Sequence, residues 1–110
     1  MRQYVIDELR PEDYQALKKH LDQTCGEPEV GGIYWVPLDP ELYTATQKEH
    51  AECQPFYFAW ELEWTRLSCE LLVRTRNRVR CTCMGMANAA QREWIIASVD
   101  AMLEKLGLVL

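Results

Sequence analysis

The chain has few of the features by which a small protein declares a chemistry. No apolar run is long enough to span a bilayer. The opening MRQYVIDELR places acids where a signal peptide needs an unbroken apolar stretch, so a cytoplasmic location is expected, with no membrane partner. Repeats, low-complexity tracts and long linkers are missing, and the one loop-like segment of note is GEPEVGG, 26–32. There is no Gly-rich phosphate loop, nucleophile elbow, His-Glu-x-x-His or Cys-x-x-Cys. Histidine occurs twice, at His20 and His50, and Ser68 and Ser98 have no evident base in the sequence. These absences turn the reading away from an enzyme.

What is present describes one soluble domain. A length of 110 residues is that of a single unit, here 1–110, with enough chain to bury one core without staples. Five cysteines, an odd number, with no export signal point to free thiols in a reducing compartment. The net charge of −5 argues against nucleic acid as a partner. That average conceals an asymmetry. Residues 66–80 hold five arginines against one acid, while the remainder holds seven basic and sixteen acidic residues. The protein is an acidic body with one basic patch.

Periodicity supplies the elements. QYVIDEL, 3–9, alternates as a short strand. Pro11, followed by Glu12 and Asp13, opens a helix whose apolar positions Tyr14, Leu17, Leu21 and Cys25 recur at helical spacing before Gly26 stops it. GIYWVPL, 32–38, is β-branched and aromatic and reads as a strand; Tyr34 and Trp35 must face opposite sides of it. Asp39 and Pro40 start a weakly amphipathic helix, 40–52, expected at the surface and able to cover part of the sheet's outer face.

The clearest region is 56–84. In FYFAWELEW, Phe56, Phe58, Trp60, Leu62 and Trp64 share one face, which makes Trp60 and Trp64 core residues. In LSCELLVRT, Leu67, Cys69, Leu71 and Val73 do the same. A turn at Thr65-Arg66 sets Leu62 opposite Cys69 and Trp60 opposite Leu71, and it brings Glu61 beside Glu70 on the outer face. A loop at Arg76-Asn77-Arg78 then sets Val73 opposite Cys81 and Leu71 opposite Cys83, which completes a three-stranded meander. Asn88 and Gln91 form a capping-box pair that opens a last helix, about 89–106, ended by Gly107. The expected fold is α+β, a two-layer sandwich of order β-α-β-α-β-β-β-α. Its sheet is mainly antiparallel and carries helices on one face.

Two constellations carry chemistry. The first is RTRNRVRCTC, 74–83, where Arg74, Arg76, Arg78 and Arg80 crowd a hairpin tip beside Tyr57. Guanidinium groups in such number bind carboxylates bidentately, so the leading expectation is a non-catalytic binding or adaptor module. It would contact an acidic protein surface, or a second copy of itself as a homodimer. The second constellation is His50-x2-Cys53 with Cys81-x-Cys83, a Cys3His set suited to zinc if the two pairs converge. A zinc-binding protein is therefore one alternative reading. A small enzyme acting on an anionic metabolite held by the arginines is the other.

Overall fold

A computed structural model describes residues 2–77 and 81–109. In chain order it contains strand β1 (Gln3–Ile6), helix α1 (Pro11–Cys25) and strand β2 (Ile33–Pro37). Next come a 3₁₀ turn at Pro40–Leu42, helix α2 (Ala45–Glu49) and a second 3₁₀ turn at Ala51–Cys53. Strands β3 (Phe56–Leu62), β4 (Leu67–Glu70), β5 (Leu72–Thr75) and β6 (Gly85–Met86) follow, and helix α3 (Ala89–Lys105) ends the sequence of elements. The α+β class is as the periodicity indicates. Six strands form an antiparallel sheet, and no described helix is long and apolar enough to cross a membrane.

Strand β3 is the centre of the sheet. Its one edge pairs with β2, Tyr34 opposite Trp60 and Val36 opposite Phe58. Its other edge pairs first with β4, then with β5. The reason for two partners is an interruption at Leu71. Its N–H donates to Arg2 O at 3.1 Å and its carbonyl accepts from Ala87 N at 2.7 Å. On the far side of this break, β1 lies along β4 and β6 lies along β5. Strands β1 and β2 therefore never meet; β4 and β3 lie between them, and α1 carries the chain from one to the other.

Parity holds throughout. Phe56, Phe58, Trp60, Leu62, Leu67, Cys69, Leu71 and Val73 are all buried on one face. Register does not hold throughout. The pairing of Tyr57 with Arg74 is the one that the alternation implies, but Leu62 lies opposite Leu67 and Trp60 opposite Cys69. The two-residue turn falls one position earlier, at Trp64-Thr65, closed by Glu63 N to Arg66 O at 2.8 Å, which shifts the β4 register by two residues; two extra residues at the Leu71 break restore the expected register at Tyr57 and Arg74. Glu61 consequently faces Ser68 and not Glu70. Trp64 falls in the turn with 57% of its surface exposed, so it is not a core residue; it rests on Tyr14, ring centroids 4.9 Å apart.

Helices α1 and α3 cover the apolar face. The Tyr34 hydroxyl donates to Asp22 on α1 at 2.6 Å, and Trp94 on α3 lies over Phe58 at 6.1 Å. Both helices start where their capping residues lie. Pro11 leads α1, and at α3 the Asn88 side chain accepts from Gln91 N while Gln91 returns the bond to Asn88 N. Gly32 has a steric duty: a Cβ there would sit 2.2 Å from Leu62 O, so only glycine lets β2 close on β3 at that end.

The expected helix over 40–52 is broken into three pieces. Tyr43 leaves the helical path to set its ring edge-on to Phe56, 4.9 Å away, and its hydroxyl accepts from Phe56 N. Thr44 then caps a new start, with Gln47 completing the reciprocal pair. The segment packs beside α3 on the apolar side, so it does not cover the outer face. The third strand is also displaced. Residues 81–84 do not pair with β5; β6 does, with Val73 opposite Gly85, and the start of the expected third strand lies outside the described residues. Cys81 and Cys83 lie in a turn closed by Met84 N to Cys81 O, not on a strand opposite Val73 and Leu71.

Candidate metal centre

The end of α2 and the turn before β6 meet at one point. His50 terminates α2, and Cys53 N bonds back to His50 O at 3.0 Å, which makes 50–53 a single 3₁₀ turn. Such a turn has about three residues per revolution, so side chains at i and i+3 project the same way. The His-x2-Cys spacing thus becomes two donors aimed together. Across from them the turn at Cys81 turns both Cys81 and Cys83 inward and leaves Thr82 exposed. The ligating atoms of His50, Cys53, Cys81 and Cys83 all lie within 4.8 Å of one another. His50 Nδ1 and Cys81 Sγ are 2.9 Å apart. Cys53 and Cys83 form the buried half of the cluster, His50 and Cys81 the half-exposed one.

The cluster has its own support. The Thr75 hydroxyl donates to Cys53 O at 2.5 Å, and the Asn77 amide donates to Gln54 O at 2.8 Å and Glu52 O at 3.3 Å, which anchors the 50–54 backbone to the end of β5. On the other side a buried amide relay reaches the second cysteine pair. Gln91 Nε2 donates to Leu42 O at 2.9 Å and Gln47 Oε1 at 3.1 Å, and Gln47 Nε2 donates to Cys83 O at 3.3 Å. Outer partners of this kind hold ligands in place before an ion arrives.

The three thiols do not behave alike. Hydrogen bonds from Cys83, side chain before backbone, together with His50 and Cys53, pull Cys81 down to about 6. Burial pushes Cys83 up to about 12, and burial likewise raises Cys53. One thiolate is thus held among donors, as expected where three sulfurs converge without a counter-charge. Cys69, raised to about 12 by burial in the core beneath the helices, shows the contrast of an inert thiol.

These donors suit one tetrahedral ion. Zinc bonds of about 2.3 Å to sulfur and about 2.0 Å to nitrogen place ligand atoms roughly 3.5–3.8 Å apart. A set already within 4.8 Å reaches that geometry by side-chain rotation. Four protein donors also fill every position of the tetrahedron, which leaves no place for a reacting water.

The arginine constellation is assembled differently from the expectation. Arg74 does lie opposite Tyr57, but its guanidinium forms a two-pronged pair with Glu70, Nε–Oε1 2.5 Å and Nη2–Oε2 3.2 Å. Arg76 lies over the rings of Trp35 and Tyr57, 5.3 and 5.9 Å from their centroids. Arg78 and Arg80 lie outside the described residues. Both described guanidinium groups thus have partners within the fold. Thr75 and Asn77 carry no obvious chemical signature; Gln47 and Gln91 are marked only by their capping-box spacings, Thr44-x-x-Gln47 and Asn88-x-x-Gln91. No family model, curated protein or solved structure matches the chain.

Proposed function

We propose that this chain is a non-catalytic binding module built around one zinc ion, held by His50, Cys53, Cys81 and Cys83. The observation that carries the reading is the convergence of four metal-ligating atoms within 4.8 Å from segments some thirty residues apart. The ion would fasten the arginine-bearing loop after β5 to the body of the domain. Cys3His is a donor set typical of structural zinc, and four protein ligands support a scaffold role over a catalytic one. A Cys81–His50 nucleophile dyad is the competing chemistry, but it uses two of the four groups and gives no part to Cys53 and Cys83. The five free thiols fit a reducing compartment.

Protein prepared without a histidine tag and under reducing conditions tests this by elemental analysis and cobalt substitution. The expected result is one ion per chain, with cobalt giving the intense visible bands of a tetrahedral thiolate site, and loss of both in Cys83→Ser. Protein free of metal that also fails to develop cobalt bands sinks the proposal.

A further inference from the structure

A second concavity lies at the β2 edge of the sheet, where the chain leaves α1 and enters β2. Its volume is about 270 Å³. That is small beside the roughly 300–1,000 Å³ of sites for drug-sized ligands, and it suits a head group.

Every fixed feature of its wall favours positive charge. The rings of Trp35 and Tyr57 stand nearly perpendicular, 76° apart with centroids at 6.3 Å, and present two π-faces to one corner. The C-terminal end of α1, Thr24 to Gly26, lines the cavity, and its last turn holds no basic residue to offset the negative end of the helix dipole. Glu27 and Glu29 add two carboxylates. Arg76 is the only base among the described lining residues, and its guanidinium occupies the aromatic corner, 5.3 Å from one ring centroid and 5.9 Å from the other. Its distance to Glu29 is 3.9 Å.

We propose that the Trp35–Tyr57 corner is a receptor site for a methylated ammonium head group, and that Arg76 fills it in the free protein as an internal stand-in. A guanidinium is a weakly hydrated cation, so the group already seated there reports what the site selects: a charge that sheds water readily and spreads over an aromatic face. A methylated ammonium shares that character and an unmethylated one does not. Arg76 is able to yield, because its side chain is 43% exposed and its contact with an 85% exposed glutamate is weak. The site shares no residue with the proposed zinc centre.

The source of the head group is either a free small molecule or a modified lysine side chain, and the probes separate them. Choline, acetyl-trimethyllysine methylamide and acetyl-lysine methylamide are titrated into zinc-replete protein while the indole N–H of Trp35 is followed by NMR, its resonance assigned by its loss in Trp35→Leu. Methylated probes are expected to bind Arg76→Ala at least tenfold more tightly than wild type, because the internal competitor is gone. The unmethylated amine should bind at least tenfold more weakly than its methylated counterpart. Equal binding of choline and trimethyllysine points to a free ligand, and preference for trimethyllysine points to a peptide. Binding no tighter in Arg76→Ala, or retained in the folded double variant Trp35→Leu/Arg76→Ala, overturns the proposal.

Discussion

The imidazole Nδ1 of His50 and the sulfur of Cys81 lie 2.9 Å apart across thirty-one residues of sequence. The contact joins the end of α2 to the turn before β6, two segments that share no strand ladder. An ion bound at this junction stabilises the folded chain by mass action. At a free zinc level a hundredfold above its dissociation constant, the gain is about 2.7 kcal/mol, or roughly 10 °C in Tm for a domain of this size. Calorimetry with zinc and then with chelator should show that shift, and Cys83→Ser should erase it. Equal Tm values under both conditions in the wild type would contradict a structural role.

The amide relay behind the cluster makes a separate prediction. Gln91 is 1% exposed, and its truncation to alanine leaves Leu42 O without its side-chain donor and Gln47 Oε1 with Thr44 N alone. The expected loss is about 2–3 kcal/mol in urea unfolding. Gln47→Ala removes the bond to Cys83 O as well, and zinc affinity should fall about tenfold in competition with a chromophoric chelator. Unchanged affinity would mean that the turn at Cys83 holds its shape without that bond.

Phe58 and Trp64 share a strand parity but not an environment. Phe58 is fully buried between Val36 and the Trp94 ring, so Phe58→Ala should cost about 3–5 kcal/mol. Trp64 keeps one aromatic neighbour, Tyr14, so Trp64→Ala should cost about 1 kcal/mol. Denaturant midpoints of the two variants test the contrast directly. Similar losses would place Trp64 in the core after all.

Asp13 sets the acid limit of α1. Its buried carboxylate accepts from Arg10 N and from the Arg10 guanidinium, and these bonds, the side-chain one foremost, hold it below the usual carboxylate range. A lowered folded-state value means that the unfolded chain takes up a proton first as pH falls. The stabilisation is therefore fully present above the unfolded carboxylate range and disappears as pH drops through the lower folded-state value. Asp13→Asn should be less stable than wild type at neutral pH, and the gap should close in strong acid. A gap independent of pH would assign the loss to packing instead.

Much of this architecture was legible because alternation is a local property. Residues 56–62 and 67–73 announce their buried face one side chain at a time, and Pro11, Gly26, Asn88 and Gln91 mark helix ends through their own backbone chemistry. The break at Leu71 was not legible, because it answers to strands from elsewhere in the chain. Nor was the true position of the third strand. In RCTC the alternation of cysteine with polar residues mimics a strand, whereas in the fold it lets two thiols from one turn reach the same point. The four candidate ligands could be named from His-x2-Cys and Cys-x-Cys. Their convergence depends on Tyr43 breaking the helix over 40–52, a tertiary event driven by the Phe56 ring.

The interruption at Leu71 carries a kinetic corollary. β3 and β4 are neighbours in the chain and can zip together as soon as the Trp64-Thr65 turn closes. β1 has no such neighbour, since its ladder is to residues from the opposite half of the protein, and bringing distant segments together is entropically slow. Pulse-labelled refolding should find the amides of Glu61 and Ser68, which face each other across the β3–β4 ladder, shielded before those of Tyr4 and Ile6. The amino-terminal strand is then the last plank laid, and until it docks the Leu71 amide awaits its acceptor from Arg2.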